Sequence, residues 1–210
     1  MADNSFCDIL NNQSNVFTQN HMEEIQMYFD LSGLWQADIG DGKVYPMQLP
    51  GTLDENRIGH KDLGQNQWHP DAALGNAEEG FNENAPIATR FTRKYTFEGE
   101  ARLTRRISFT PEEGKRVFLE AERVRYLRLL VDGKEVPHFS EGSLSTPHVF
   151  EVTGLLNGDN EITLLSDNSY PGLPHDAIVY SSAATDETQT NWNGVLGYLR
   201  LRVEEPVFLS

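Results

Sequence analysis

The densest set of groups able to do chemistry lies at residues 183–201, AATDETQTNWNGVLGYLRL. Asn, Gln and Thr side chains crowd there around Trp192. Amides and hydroxyls match the hydroxyls of a sugar, and an indole face covers a pyranose ring. The same composition also suits a polar loop pinned by one buried tryptophan, and composition alone does not separate the two. Hydrolysis of a glycoside would need two carboxyl groups, about 5 Å apart for retention or about 6.5–9.5 Å for inversion. Asp186 and Glu187 are adjacent, so in an extended chain they point to opposite faces and make a poor acid/base pair. With 32 acidic residues in the chain, other pairings carry no information, and no catalytic residue is assigned.

Other chemistries find little support. GDGKVYP at 40–46 lacks the spacing of a phosphate loop and leads into a β-run instead of a helix. No G-x-S-x-G, H-E-x-x-H or paired C-x-x-C occurs. His60 and His69 lie nine apart without a third nearby ligand, which is a poor zinc site. Asp167-Asn168-Ser169 supplies too few oxygens for calcium and reads as a turn. The one cysteine, Cys7, excludes an intramolecular disulfide. Neither a metal nor a cofactor is expected. His148, His175 and Trp35 are assigned to packing or loop structure. A formal charge of −15 repels phosphate backbones and anionic membranes. The chain has no apolar run near the ~20 residues that span a bilayer, and its start lacks a charged segment followed by an apolar one. The sequon at Asn12 therefore carries little weight, and a cytoplasmic location is expected.

The elements that must position these groups read as strands. Residues 1–27 form a polar arm, with a short helix-compatible stretch around 21–28, and residues 28–210 form one domain. LSGLWQADIG and KVYPMQLPG flank Asp41-Gly42 as a hairpin, and Asp132-Gly133 separates RYLRLLV from KEVPHF in the same way. ATRFTRKYTF, ARLTRRISF, KRVFLEAE and HVFEVTGL read as further strands, followed by a turn at 157–160, then EITLLSD and GVLGYLRLRV. Residues 54–89 make a long irregular excursion. About eight short strands, turns every 8–12 residues and no βα alternation select an all-β, mostly antiparallel sandwich or jelly roll.

TDETQTNWNGVLGYLRL (185–201) closely resembles the end of the N-terminal domain of glycoside hydrolase family 2, the β-galactosidase and β-glucuronidase family. Further matches run in the family's order: LSGLWQ at 31–36, LPGTLDENRIG at 49–59, LEAERVRYLRLLVDGKEV at 119–136 and SLSTPHVFEVTGLLNGDNEITLLSDNS at 143–169. The resemblance covers about residues 28–205. It implies a galactose-binding-domain-like jelly roll, followed in the family by an immunoglobulin-like domain and a (β/α)8 barrel that holds both catalytic glutamates. The partners implied are thus those two domains and a β-glycoside. By position in the motif, Asp186 is the candidate for a sugar hydroxyl contact, with Asn191, Trp192 and Asn193 as neighbours on the same loop. Asp54 and Asn56 could face the same cleft, or could instead bond only turn backbone. Residues 60–88 match no motif of the family, so galactoside, glucuronide, mannoside and glucosaminide remain open. A non-catalytic domain of such a hydrolase is expected to expose an apolar patch for its neighbours. The alternative, a free-standing carbohydrate-binding module, is expected to have a well-covered surface and its own sugar affinity.

Overall fold

The computed structural model describes residues 27–61, 94–174 and 191–206. Among them are fifteen strands and no helix: β1 (Met27–Asp30), β2 (Gly33–Asp38), β3 (Tyr45–Leu49), β4 (Gly51–Thr52), β5 (His60–Lys61), β6 (Tyr95–Thr96), β7 (Glu100–Phe109), β8 (Arg116–Ala121), β9 (Tyr126–Val131), β10 (Lys134–Val136), β11 (His138–Ser140), β12 (His148–Glu151), β13 (Gly158–Asp167), β14 (Gly194–Val195) and β15 (Leu199–Glu204). A six-stranded sheet, β10-β9-β13-β7-β2-β3, faces a five-stranded one, β1-β15-β8-β12-β11. The fold is an all-β, antiparallel sandwich, as the strand pattern led one to expect.

Alternation builds the core. Leu103, Leu164 and Leu129 lie directly opposite one another across β7, β13 and β9 and are fully buried. Their partners from the other sheet include Leu119, Phe150 and Leu201. Strand β8 departs from alternation, because Phe118 and Glu120 are buried although they lie on the outer face. The guanidinium groups of Arg116 and Arg202 sit 4.8 and 4.5 Å from the Phe118 ring. Glu120 accepts from Arg200 Nε at 2.9 Å and Arg202 Nε at 2.5 Å. This sheet therefore covers part of its own outer face with arginine and aromatic side chains.

The Asp41-Gly42 turn joins β2 to β3, and Asp132-Gly133 joins β9 to β10. Asp132 and Gly133 both have positive φ, 49° and 76°, the primed turn whose twist suits a hairpin. Four expectations need correction. KEVPHF is not one strand: Pro137 has no N–H to donate, and the chain changes sheets there, β10 to β11. The turn expected at 157–160 lies earlier, around Thr153–Leu155, and Gly158–Asn160 already belong to β13. GVLGYLRLRV is broken at 196–198, where Leu196 N and Gly197 N donate to Arg123 O and Glu122 O. Met27 and Tyr28 belong to β1, paired with Val203 and Arg202, and not to a helical stretch. The rest of the arm, and residues 88–93 of ATRFTRKYTF, lie outside the described residues.

Candidate functional site

Three stretches far apart in sequence, residues 50–58, 94–99 and 191–195, are hydrogen-bonded together. The first folds on itself through its polar side chains. Glu55 Oε2 accepts from Thr52 N at 2.9 Å, and Thr52 Oγ1 accepts from Glu55 N at 3.0 Å, a reciprocal pair of the kind that caps a helical turn. Asn56 accepts from Gln48 N at 2.7 Å and donates to Thr52 O at 2.8 Å. Asp54 Oδ1 reaches across 40 residues to accept from Lys94 N at 3.0 Å and Tyr95 N at 2.7 Å. It thereby ties together the two ends of the excursion, where β5 also pairs with β6.

The third stretch is zipped onto the first. Gly194 and Val195 pair with Thr52 and Gly51, and Leu53 N donates to Asn193 O at 2.9 Å. Gly194 has φ of +129°, and a Cβ there would overlap the Gly51 carbonyl, so only glycine fits. Beneath this ladder lies a buried amide network centred on Asn168, which has no exposure. Its Oδ1 accepts from Gly99 N at 2.9 Å, and its Nδ2 donates to Phe97 O at 2.8 Å and Asn191 O at 2.9 Å. Asn193 donates to Gly99 O at 2.8 Å and accepts from Ser166 Oγ at 2.6 Å. Asn191 donates to Asn168 O at 3.1 Å, while its buried Oδ1 has no hydrogen-bond partner among the described residues.

Trp192, between these two amides, is only half-buried. Arg125, 5% exposed, lies against it with its guanidinium carbon 5.0 Å from the ring centroid and Nε donating to Trp192 O at 3.1 Å. Tyr170 sits 5.4 Å from the same guanidinium and is hydrogen-bonded to it through its hydroxyl. Burial raises the Tyr170 phenol above its ordinary value, with Arg125 opposing.

Of the residues singled out from sequence, Asn191, Trp192, Asn193, Asp54 and Asn56 are brought into this one loop cluster. Asp186 and His175 lie outside the described residues. The side chains of Asp54, Asn56 and Asn193 engage backbone, and Trp192 presents surface. Asp167 makes the expected turn, accepting from Ser169 N at 2.7 Å. His148 is buried, with Nε2 3.3 Å from Val124 O and Nδ1 3.3 Å from both Gly142 N and His138 Nε2. Trp35 is a core residue whose Nε1 donates to Leu31 O. Among the described residues no group of three or more His, Cys, Asp or Glu side chains is placed to hold a metal ion. Sequence reasoning missed Arg125, Asn168 and Tyr170. Arg125 is one of three arginines within 123–128, and nothing in that run marks the one that turns inward.

The fold is shared with glycoside hydrolases. An FMN-binding β-glucuronidase from Faecalibacterium prausnitzii L2-6 superposes with a TM-score of 0.55 at 16% identity, over 87% of this chain and 23% of that one. A β-D-glucuronidase from Dictyoglomus thermophilum gives 0.51 at 16% identity, over 86% and 28%. A β-D-mannosidase from the same organism gives 0.52 at 14% identity, over 83% and 22%. The chain thus spans about a quarter of the length of these enzymes. No protein-family model matches the sequence, and neither does any curated protein.

Proposed function

We propose that this chain is a non-catalytic, carbohydrate-facing domain of a family 2-type glycoside hydrolase, a jelly roll that supplies one wall of a glycone site. The catalytic groups would belong to a barrel that lies outside these 210 residues, with an immunoglobulin-like domain as a second neighbour. The observation that carries this reading is the asymmetry of the likeness: the shared fold covers 83–87% of this chain but only 22–28% of three hydrolases. The loop cluster adds a partly exposed tryptophan, Trp192, whose indole is the kind of surface on which a pyranose stacks. Asp186, five residues before Asn191, is the proposed contact to a sugar hydroxyl. Exposed Met27 and Phe29 at the sheet edge, 58% and 40% accessible, suit contact with a neighbouring domain.

A free-standing binding module is the second reading, favoured by the arginine and aromatic layer that covers part of the five-stranded sheet's outer face. Ligand-observed NMR of the chain with galactose, glucuronate, mannose, glucosamine and their β-linked disaccharides separates the two, run beside hydrolysis assays on chromogenic β-glycosides. The proposal expects no hydrolysis and millimolar sugar contact that Trp192→Ala and Asp186→Ala both abolish. Micromolar affinity favours the free-standing module. Hydrolysis, or sugar contact indifferent to both substitutions, overturns the proposal.

A further inference from the structure

We infer that Arg125 is a positioning residue for Trp192: its guanidinium backs one face of the indole and fixes the main chain beneath it, so that the opposite face alone is offered to a ligand. The inference rests on the proposed carbohydrate reading for the ligand's identity, though not for the geometry. Arg125 meets Trp192 twice, by stacking 5.0 Å from the ring centroid and by the Nε hydrogen bond to Trp192 O at 3.1 Å. Among the described residues, further contacts to Arg125 and its neighbours come from other parts of the chain. Tyr170 takes the guanidinium on another side, with a hydrogen bond to its hydroxyl. Tyr126 stands edge-on to Tyr170 at 6.0 Å. Just before Arg125, Val124 is fully buried and its carbonyl lies 3.3 Å from His148 Nε2. The arginine is therefore anchored by the sandwich and passes that anchorage to the 191–193 segment.

Only a guanidinium can do this. Its planar fork stacks and donates in two directions at once, whereas the lysine ammonium is a point charge that cannot reproduce both bonds and the stack. An indole without its backing would have to be ordered by the ligand, and that ordering cost weakens binding by about tenfold.

The test labels the three tryptophans with 5-fluorotryptophan and follows them by 19F NMR, with Trp192→Phe identifying the Trp192 signal. In Arg125→Lys the Trp192 resonance is expected to shift and broaden while that of Trp35, in the core, stays in place. Sugar affinity is expected to fall about tenfold. Tyr170→Phe, which keeps the stack and removes one hydroxyl, is expected to show the same change at smaller amplitude, and it carries the test should Arg125→Lys not fold. An unmoved Trp192 signal in both variants overturns the inference. If the unsubstituted protein contacts no sugar, the carbohydrate reading falls, and the 19F spectra still decide whether Arg125 positions Trp192.

Discussion

Replacing Asn168 by alanine tests the core of the loop cluster. The side chain is fully buried and makes three hydrogen bonds of 2.8–2.9 Å, to Gly99 N, Phe97 O and Asn191 O. Truncation leaves one N–H and two carbonyls without that partner. Each buried orphan costs about 1–3 kcal/mol, and a water admitted to the space recovers part, so the net loss is about 4 kcal/mol. For a domain of this size that lowers Tm by roughly 8–16 °C, with the denaturant m-value unchanged. Asn56→Ala is the control, since its groups lie nearer solvent and water replaces them for about 1 kcal/mol. Asn168→Asp adds a signature in pH. Its carboxylate would face the carbonyls of Phe97 and Asn191, so its folded-state pKa is raised above the unfolded value. The folded form then holds the proton more tightly, and this variant gains stability as pH falls from 7 toward 4. Calorimetry and urea titration read all three. A loss below about 1 kcal/mol in Asn168→Ala would refute the claim that this network holds the loops together.

Gly194→Ala is expected to cost about 3 kcal/mol, because φ of +129° is closed to alanine and its methyl would strike Gly51 O. Gly42→Ala, at φ of +80° with open space around it, should cost about 1 kcal/mol; chemical denaturation of the pair checks the ratio. Burial lowers the pKa of His148, His138 adds to this, and the Val124 carbonyl and Glu141 oppose it. The unfolded chain then binds the proton more readily, so this contribution is present above about pH 6.5 and is lost as pH falls through the folded value. His148→Gln should flatten the fall of Tm between pH 7 and 5. Glu120→Ala, which leaves Arg200 and Arg202 without their shared carboxylate, should cost about 3 kcal/mol by urea titration.

Much of the fold could be read from local signals. Asp132-Gly133 announces its hairpin because two adjacent positive φ values suit few residue types. Alternation in ARLTRRISF and LRLRV identifies half-buried strands. The errors fall where the deciding contact is distant. Asn160 looked like a turn residue, but it is buried in β13, where it donates to Asp132 Oδ2 at 2.7 Å, 28 residues away. Leu196–Tyr198 looked like strand, yet the backbone there pairs with Glu122 and Arg123. The site was legible as a composition around Trp192 and as a motif near Pro50. That these two stretches pair through β4 and β14 is a tertiary fact, as is the turn of Arg125 inward from a run of similar residues.

The cluster also divides its polar residues by task, and that bears on how a sugar would be held. A side chain that already satisfies buried backbone cannot turn to a ligand without orphaning the group it leaves. Asp54 holds Lys94 N and Tyr95 N, and Asn193 holds Gly99 O. Their oxygens and amides make the scaffold stiff. What the described part of the cluster still offers is the partly exposed Trp192, with Arg125 against one face of its ring. One stacking surface contributes about 1 kcal/mol, against a cost of immobilising the ligand of about 4 kcal/mol or more. That surface together with the proposed Asp186 contact binds a sugar no more tightly than the millimolar range. On the proposed reading, tight binding therefore requires the walls that other domains would supply, and the rigidity built into this one fixes where they meet.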